Sequence, residues 1–519
     1  MKKQFFFWAV CLLAGFQTAS AQDFPESCPD ECTSIAVGRL ATTDGSVFTS
    51  HTCDGVSHSW VSIEKAADHP RGAMTPIYKG TRKNFFRGDT TGVKIVGEVP
   101  QVAHTYAYLN TGYPSLNEKQ VAIGETTFSG PDTLRNYGSM FVVEELCRLA
   151  LERCDNARDA VILMGSLGEK YGYADGGECL TVADKNEVWF FEILGCGRGK
   201  KGAVWAAQRV PDGEVAVSAN IPRIGRLRRG DPDFLCSDNV ESVARTYNLW
   251  DGEGEFIFWK AFNAAYGNGR NFREREWFIF NTLAPSLQLS FDAPELPFSV
   301  KPDTLVDVRT LNAILRSTYE GTFLDMTQNW KMTVPAKNGK PEQTLVSPLA
   351  NPWLTTDMRN TLNTIAPGTI EFRRTVAVCW CSYSTVIQLR SWLPDAVGGI
   401  CWLAYDNPGQ SPRFPIFAGG TSLPSAFDFC GHKKYVPDCA LWLFRRANRL
   451  ATVAWQTDKK IMMPKVLELE DEALNAVSAL EPDAQPAELD ALTARLFQHA
   501  ADEWKVLEET FWAKHGRGF

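Results

Sequence analysis

Cys32-Thr33-Ser34-Ile35-Ala36-Val37-Gly38 follows a polar, Pro-containing stretch, residues 22–31, and the change of character at Cys32 governs the reading of the chain. Residues 33–40 alternate imperfectly between polar and apolar, Thr43-Asp44-Gly45 marks a turn, and residues 46–53 form a second strand. A hairpin opening on a cysteine is therefore expected. Cleavage between Glu31 and Cys32 would leave a thiol and an α-amine on one residue. That amine, with a reference pKa of about 7.7–8.0, serves as the thiol's base, and no histidine is required. Such a layout needs a nucleophile at the start of a rigid strand, a carboxylate to orient the ammonium and donors for the oxyanion.

Upstream, residues 1–21 read as a secretory signal: Lys2 and Lys3 are a basic start, residues 5–16 are almost wholly apolar, and Ala19-Ser20-Ala21 supplies a small-residue cleavage site. The apolar run is shorter than the ~20 residues a spanning helix needs. The expected product is thus exported, periplasmic or extracellular, without a transmembrane segment, and residues 22–31 are expected to form a propeptide. Of the 14 cysteines, Cys11 lies in the signal, leaving an odd number whose pairing the sequence does not specify. Cys32 itself reads either as a nucleophile or as the disulfide partner of Cys28. Cys379-Trp380-Cys381 has no second Cys or His pair at zinc-site spacing, so no metal and no cofactor are expected.

Downstream, residues 60–65, 121–126, 187–194, 203–209 and 214–219 read as strands. Helical periodicity covers residues 140–153 and 156–170, with Asp155 and Asn156 as N-cap candidates, and then 237–250 and 304–319. After Val436 the chain is almost all helical. Strands, helices, strands and helices in that order predict an α+β fold rather than alternating βαβ units, with a catalytic region over 32–435 and a helical C-terminal region over 436–519. With 61 acidic against 53 basic residues and no basic run longer than Arg226-Leu227-Arg228-Arg229, nucleic acid is excluded as a partner. A hydrophobic fraction of 44% argues against disorder.

Taken with Asp44-Gly45-Ser46 and Asp54, the opening at Cys32 resembles that of the cysteine dipeptidases among the N-terminal-nucleophile (Ntn) hydrolases, relatives of the penicillin V and bile-salt acylases. Ala122-Ile123-Gly124-Glu125-Thr126-Thr127, Gly176-Gly177-Glu178, Trp189-Phe190-Phe191-Glu192-Ile193-Leu194-Gly195, the run from Trp205 to Gly213, Ser218-Ala219-Asn220, Arg390-Ser391-Trp392-Leu393-Pro394 and Pro415-Ile416-Phe417 continue the resemblance in order, over roughly residues 32–455. It implies a four-layer αββα sandwich, self-cleavage, Cys32 as both cleavage residue and nucleophile, Asp54 as the carboxylate that positions its amine, and Asn220 as an oxyanion-hole donor. The acylase relatives carry an arginine where this chain has His51. Glu125 offers a negative charge for a dipeptide's free ammonium, so Glu125 and His51 are the substrate-binding candidates.

Each residue also has a plainer reading. Asp54 reads as a turn cap with Gly55, Asn220 as a turn residue before Ile221-Pro222, His51 and His58 as ordinary strand or surface residues, and Glu125 as half of a strand-end salt bridge. Asp175-Gly176-Gly177 lacks a following Lys-Ser/Thr and is rejected as a phosphate loop. The expectation is an exported dipeptidase acting on short peptides with a free N-terminus; oligomeric state is left open, a homo-oligomer included. The alternatives are an N-acyl amide hydrolase of the acylase kind and a non-catalytic secreted binding protein.

Overall fold

A computed structural model describes residues 31–263, 270–337, 340–432 and 434–516. The expected signal and all of the propeptide except Glu31 lie outside these residues, as does Cys28. Two large antiparallel sheets dominate. The first orders its strands Ser299–Val300, Val215–Ser218, Cys32–Val37, Val47–Asp54, Cys381–Leu389, Gly399–Tyr405 and Phe414–Phe417. The second runs Phe234–Cys236, Ala203–Arg209, Val188–Gly195, Glu178–Ala183, Ala122–Thr127, Leu116–Asn117, Tyr108–Asn110 and Ser62–Glu64.

The strand opening on Cys32 pairs with Val47–Asp54 in a register that sets Cys32 opposite Cys53 and Thr33 opposite Thr52. Both strands are buried along their whole length, which explains the imperfect alternation, because a strand covered on both faces has no polar side to display. Between the sheets the packing beside the site is polar. Thr49 and Thr181 share a hydroxyl hydrogen bond of 2.6 Å, and Ser34 donates to the Glu125 carbonyl at 3.1 Å. Gly124 permits this approach, since a Cβ there would lie 2.3 Å from the Ser50 carbonyl oxygen.

Helices Val143–Arg153 and Ala157–Tyr171 pack together, and the latter lies on the second sheet. Asn156 caps it as anticipated, its side chain accepting from the Asp159 N–H at 2.8 Å. Ala440–Ala451, Trp455–Ser478 and Pro486–His515 cover the Gly399–Tyr405 and Phe414–Phe417 end of the first sheet and share its hydrophobic core through Trp455, Phe497 and Trp504. The expected helix over 237–250 shortens to Val240–Thr246, bounded by the strand Phe234–Cys236 before it and by Asn248 in a left-handed conformation after it. That over 304–319 shortens to Val308–Leu315, started by the Asp307 cap. Among the described residues no helix is long and apolar enough to cross a membrane, and all twelve described cysteines are free thiols.

Candidate active site

The peptide bond that joins Glu31 to Cys32 lies at the centre of the site. The Asp54 N–H donates to the Glu31 carbonyl oxygen at 3.1 Å. On the other side of the bond the Cys32 N–H donates to Asn220 Oδ1 at 3.0 Å. The thiol donates to Glu125 Oε2 at 3.3 Å, and the Cys32 carbonyl accepts from Arg275 Nη1 at 2.6 Å. Asp54 and Asn220 thus hold the two ends of this peptide unit, while Glu125 and Arg275 hold the rest of Cys32.

Each side chain is fixed by its element. Asn220 follows the strand Val215–Ser218 with φ at +65°, a left-handed conformation that asparagine tolerates better than most residues. Its Oδ1 also accepts from Arg275 Nη2 at 2.8 Å while its Nδ2 donates to the Thr127 carbonyl at 2.7 Å. Two donors on one oxygen and an acceptor beyond the nitrogen leave a single orientation of that amide. Glu125 spends Oε1 on the Thr127 hydroxyl, at 2.9 Å, and Oε2 on the thiol.

Asp54 Oδ2 accepts from Arg374 Nη2 and, at 3.2 Å, from the Thr52 hydroxyl. Its Oδ1 is buried and without a hydrogen-bond partner. Burial pushes the Asp54 carboxyl up to about 6, with Arg374 opposing the shift. Arg374 also binds the Glu31 carboxylate. Burial disfavours the Glu31 charge, but Arg374 and Arg275 outweigh it and hold that carboxyl below its ordinary value. Burial, reinforced by Glu125, pushes the Cys32 thiol well above the usual range, so the uncleaved chain carries it as S–H.

His51 lies next to this group. Its Nδ1 meets the Glu125 carbonyl oxygen at 2.6 Å and therefore carries the proton. Its ring sits 5.5 Å from that of Tyr113 and 5.8 Å from that of Tyr383. Burial lowers its pKa, so the imidazole is neutral and does not reproduce an arginine's charge. His58 is a packing residue: it stacks on Trp60 with ring centroids 3.7 Å apart, and burial drives its pKa down to about 3.

The structure therefore gathers Cys32, His51, Asp54, Glu125 and Asn220 at one place, and it adds residues that the sequence reading did not select. Arg275 comes from the helix Arg270–Leu283 and is fully buried, and Arg374 comes from a loop. Both supply the positive charge absent at His51. Glu178 approaches Glu125 from the neighbouring strand, its carboxyl pushed well above the ordinary range by burial and then by Glu125. Cys32, His51 and Glu125 also form a potential metal-ligand trio, with ligand atoms within 4.8 Å of one another. Spacing along the chain conceals this trio because three different strands contribute to it.

The arrangement is a buried, strand-borne thiol with amide and guanidinium groups around it. The chain belongs to peptidase family C69, whose model matches residues 31–464 and so begins at the residue before Cys32. It is similar to a probable dipeptidase of Latilactobacillus sakei, at 25% identity over 79% of each chain. It is also similar to a probable dipeptidase of Salmonella dublin, at 25% identity over 81% of this chain and 90% of that one. Probable dipeptidase B of Lactococcus lactis subsp. lactis (strain IL1403) is 24% identical over 79% of each.

Proposed function

We propose that the protein is an exported cysteine dipeptidase with the αββα Ntn-hydrolase architecture, matured by its own cleavage at Glu31–Cys32. The carrying observation is the clamp on that bond: Asp54 N–H on the Glu31 carbonyl, Asn220 Oδ1 on the Cys32 N–H, and Glu125 on the thiol. Before cleavage there is no free amine, so Glu125 takes the thiol proton as Sγ attacks the Glu31 carbonyl carbon. The Asp54 N–H stabilises the oxyanion. The C–N bond then breaks, the Cys32 nitrogen receives the proton, and water hydrolyses the resulting thioester to leave a Glu31 carboxylate.

In the mature enzyme the freed Cys32 amine replaces Glu125 as the thiol's base. Asp54 Oδ1, unpartnered in the uncleaved chain, receives the ammonium, and Asn220 contributes its second Nδ2 hydrogen to the substrate oxyanion. Attack forms a thioester and releases the C-terminal amino acid, and water activated by the amine releases the other. The charged cavity beside Glu125 favours a dipeptide over the apolar acyl group of an amide hydrolase.

Two outcomes test this reading. Iodoacetamide abolishes dipeptide hydrolysis while EDTA leaves it intact, because the nucleophile is a thiolate and no step calls for a metal; activity lost in EDTA and restored by zinc overturns the mechanism. The pH profile supplies the second. Asp54 acts as an anion, so activity falls as pH drops through its pKa. That pKa is about 6 in the uncleaved chain, and the new ammonium lowers it further. The acid limb of kcat/KM for the mature enzyme is therefore expected below about pH 6 and to be lost or displaced in Asp54→Asn; an unchanged limb in that variant contradicts the role.

A further inference from the structure

A cavity of about 260 Å³ opens beside the site, lined by Arg82, Tyr113, Thr127, Arg135, Glu144, Asp175 and Glu178 among others. Thr127 and Glu178 connect it to the nucleophile. The Thr127 hydroxyl donates to Glu125, and Glu178 faces Glu125, which holds the Cys32 thiol. Carboxyls and guanidinium groups share its wall, yet Glu144, Asp175 and Glu178 form no ion pair among the described residues, and neither does Arg135.

Two buried atoms here are unpartnered. Glu178 is 3% exposed and its Oε2 has no hydrogen-bond partner, and the same holds for Arg135 Nε. Arg135 is otherwise held by the Tyr137 hydroxyl at 3.0 Å. The Asp175-Gly176-Gly177 stretch has a structural purpose in this cavity: a Cβ on Gly176 would lie 2.1 Å from Arg135 Nη2. Asp175 meanwhile accepts from the Val143 N–H at 2.8 Å at the start of helix Val143–Arg153, which fixes Glu144 beside it. Guanidinium and carboxyl groups brought together on one small wall suit a ligand that carries both charges itself.

We propose, resting on the dipeptidase reading above, that this cavity recognises the two charged ends of a dipeptide: Glu178 Oε2 accepts from the substrate α-ammonium and Arg135 donates to its C-terminal carboxylate. Glu125, whose oxygens are held by the Thr127 hydroxyl and, before cleavage, by the thiol, is the base of maturation and leaves the ammonium to Glu178. Glu178, with Glu125 on the neighbouring strand, presents the acceptor for the ammonium, and Glu144 and Asp175 lie on the same wall. A longer peptide has no carboxylate at the distance Arg135 requires, which restricts the enzyme to two residues.

The test uses mature protein with an N-terminus at Cys32 and three substrates: a dipeptide, its C-terminal amide and its N-acetyl derivative. Arg135→Gln is expected to lower kcat/KM for the dipeptide at least tenfold, mainly through KM, while leaving that for the amide nearly unchanged, and Arg135→Lys to recover part of the loss. Glu178→Gln is expected to reduce the preference for the free over the acetylated amine at least tenfold. Arg135 is half-buried and on a loop, so its variant tests the assignment even if Glu178→Gln fails to fold. Equal losses on dipeptide and amide in Arg135→Gln, or no loss on either, overturn the cavity assignment and leave the dipeptidase reading standing. A wild-type enzyme that hydrolyses N-acyl amines and no dipeptide overturns both.

Discussion

Under the proposed mechanism Cys32→Ala is expected to abolish dipeptide hydrolysis and to leave residues 22–31 attached to the chain. Both results follow from one atom. In the proposed mechanism Sγ is the nucleophile for the Glu31–Cys32 bond and for the substrate. Cys53, its cross-strand partner, is buried with its pKa pushed up to about 12. Turnover should fall by at least about 10⁴-fold, the order seen when a nucleophile is removed from a covalent-catalysis site. Intact-mass analysis of the variant should show the ten-residue propeptide retained, and steady-state kinetics should show no activity above background. A variant that loses its propeptide and still hydrolyses dipeptides would place the nucleophile elsewhere.

Asn220→Ala is expected to lower kcat by roughly 100- to 1000-fold, about 2.7–4 kcal/mol, with a much smaller effect on KM. Asn220 accepts from Cys32 N–H and Arg275 through one atom and bonds the Thr127 carbonyl through the other, so truncation removes the proposed oxyanion donor and also frees the Cys32 nitrogen. Maturation should slow as well, because that same nitrogen is the leaving group in the proposed self-cleavage. Kinetics are therefore measured on material already processed at Cys32. A wild-type kcat in such material would remove Asn220 from the reaction.

The parts of the site that lie on strands near Cys32 in the fold were legible as residue types in sequence order. The hairpin was visible in the switch from polar to strand-like residues at Cys32, and its register places Asp54 beside the Glu31–Cys32 bond. Glu125 and Asn220 fall in short motifs adjoining strands. Arg275 was not legible. It sits within Arg273-Glu274-Arg275-Glu276, a run with the look of a solvated helix face, yet Glu274, Arg275 and Glu276 are all buried. Their burial comes from packing the helix over a site whose nucleophile is 243 residues away in sequence.

Arg374 lies 320 residues from Asp54 and in no motif. Whether His51 takes over the part of the arginine that the acylase relatives carry there was left open by the sequence; burial keeps it neutral while Arg275 and Arg374 supply the charge. The strands Cys381–Leu389, Gly399–Tyr405 and Phe414–Phe417 escaped notice as strands because every residue in them is buried, leaving no period-two pattern to read. Glu125 shows the remaining limit. Its charge was evident from the sequence, whereas its contact with the thiol depends on how closely the two sheets approach at Gly124.

The most direct measurement is the N-terminal residue of the active wild-type protein, determined by intact mass and terminal sequencing on material whose specific activity is known. Cys32 at the terminus, with activity proportional to the fraction so processed, is the expected result. Fully active protein that still begins at Gln22 or retains Glu31 would contradict an α-amine on Cys32 as the base and, with it, the mechanism.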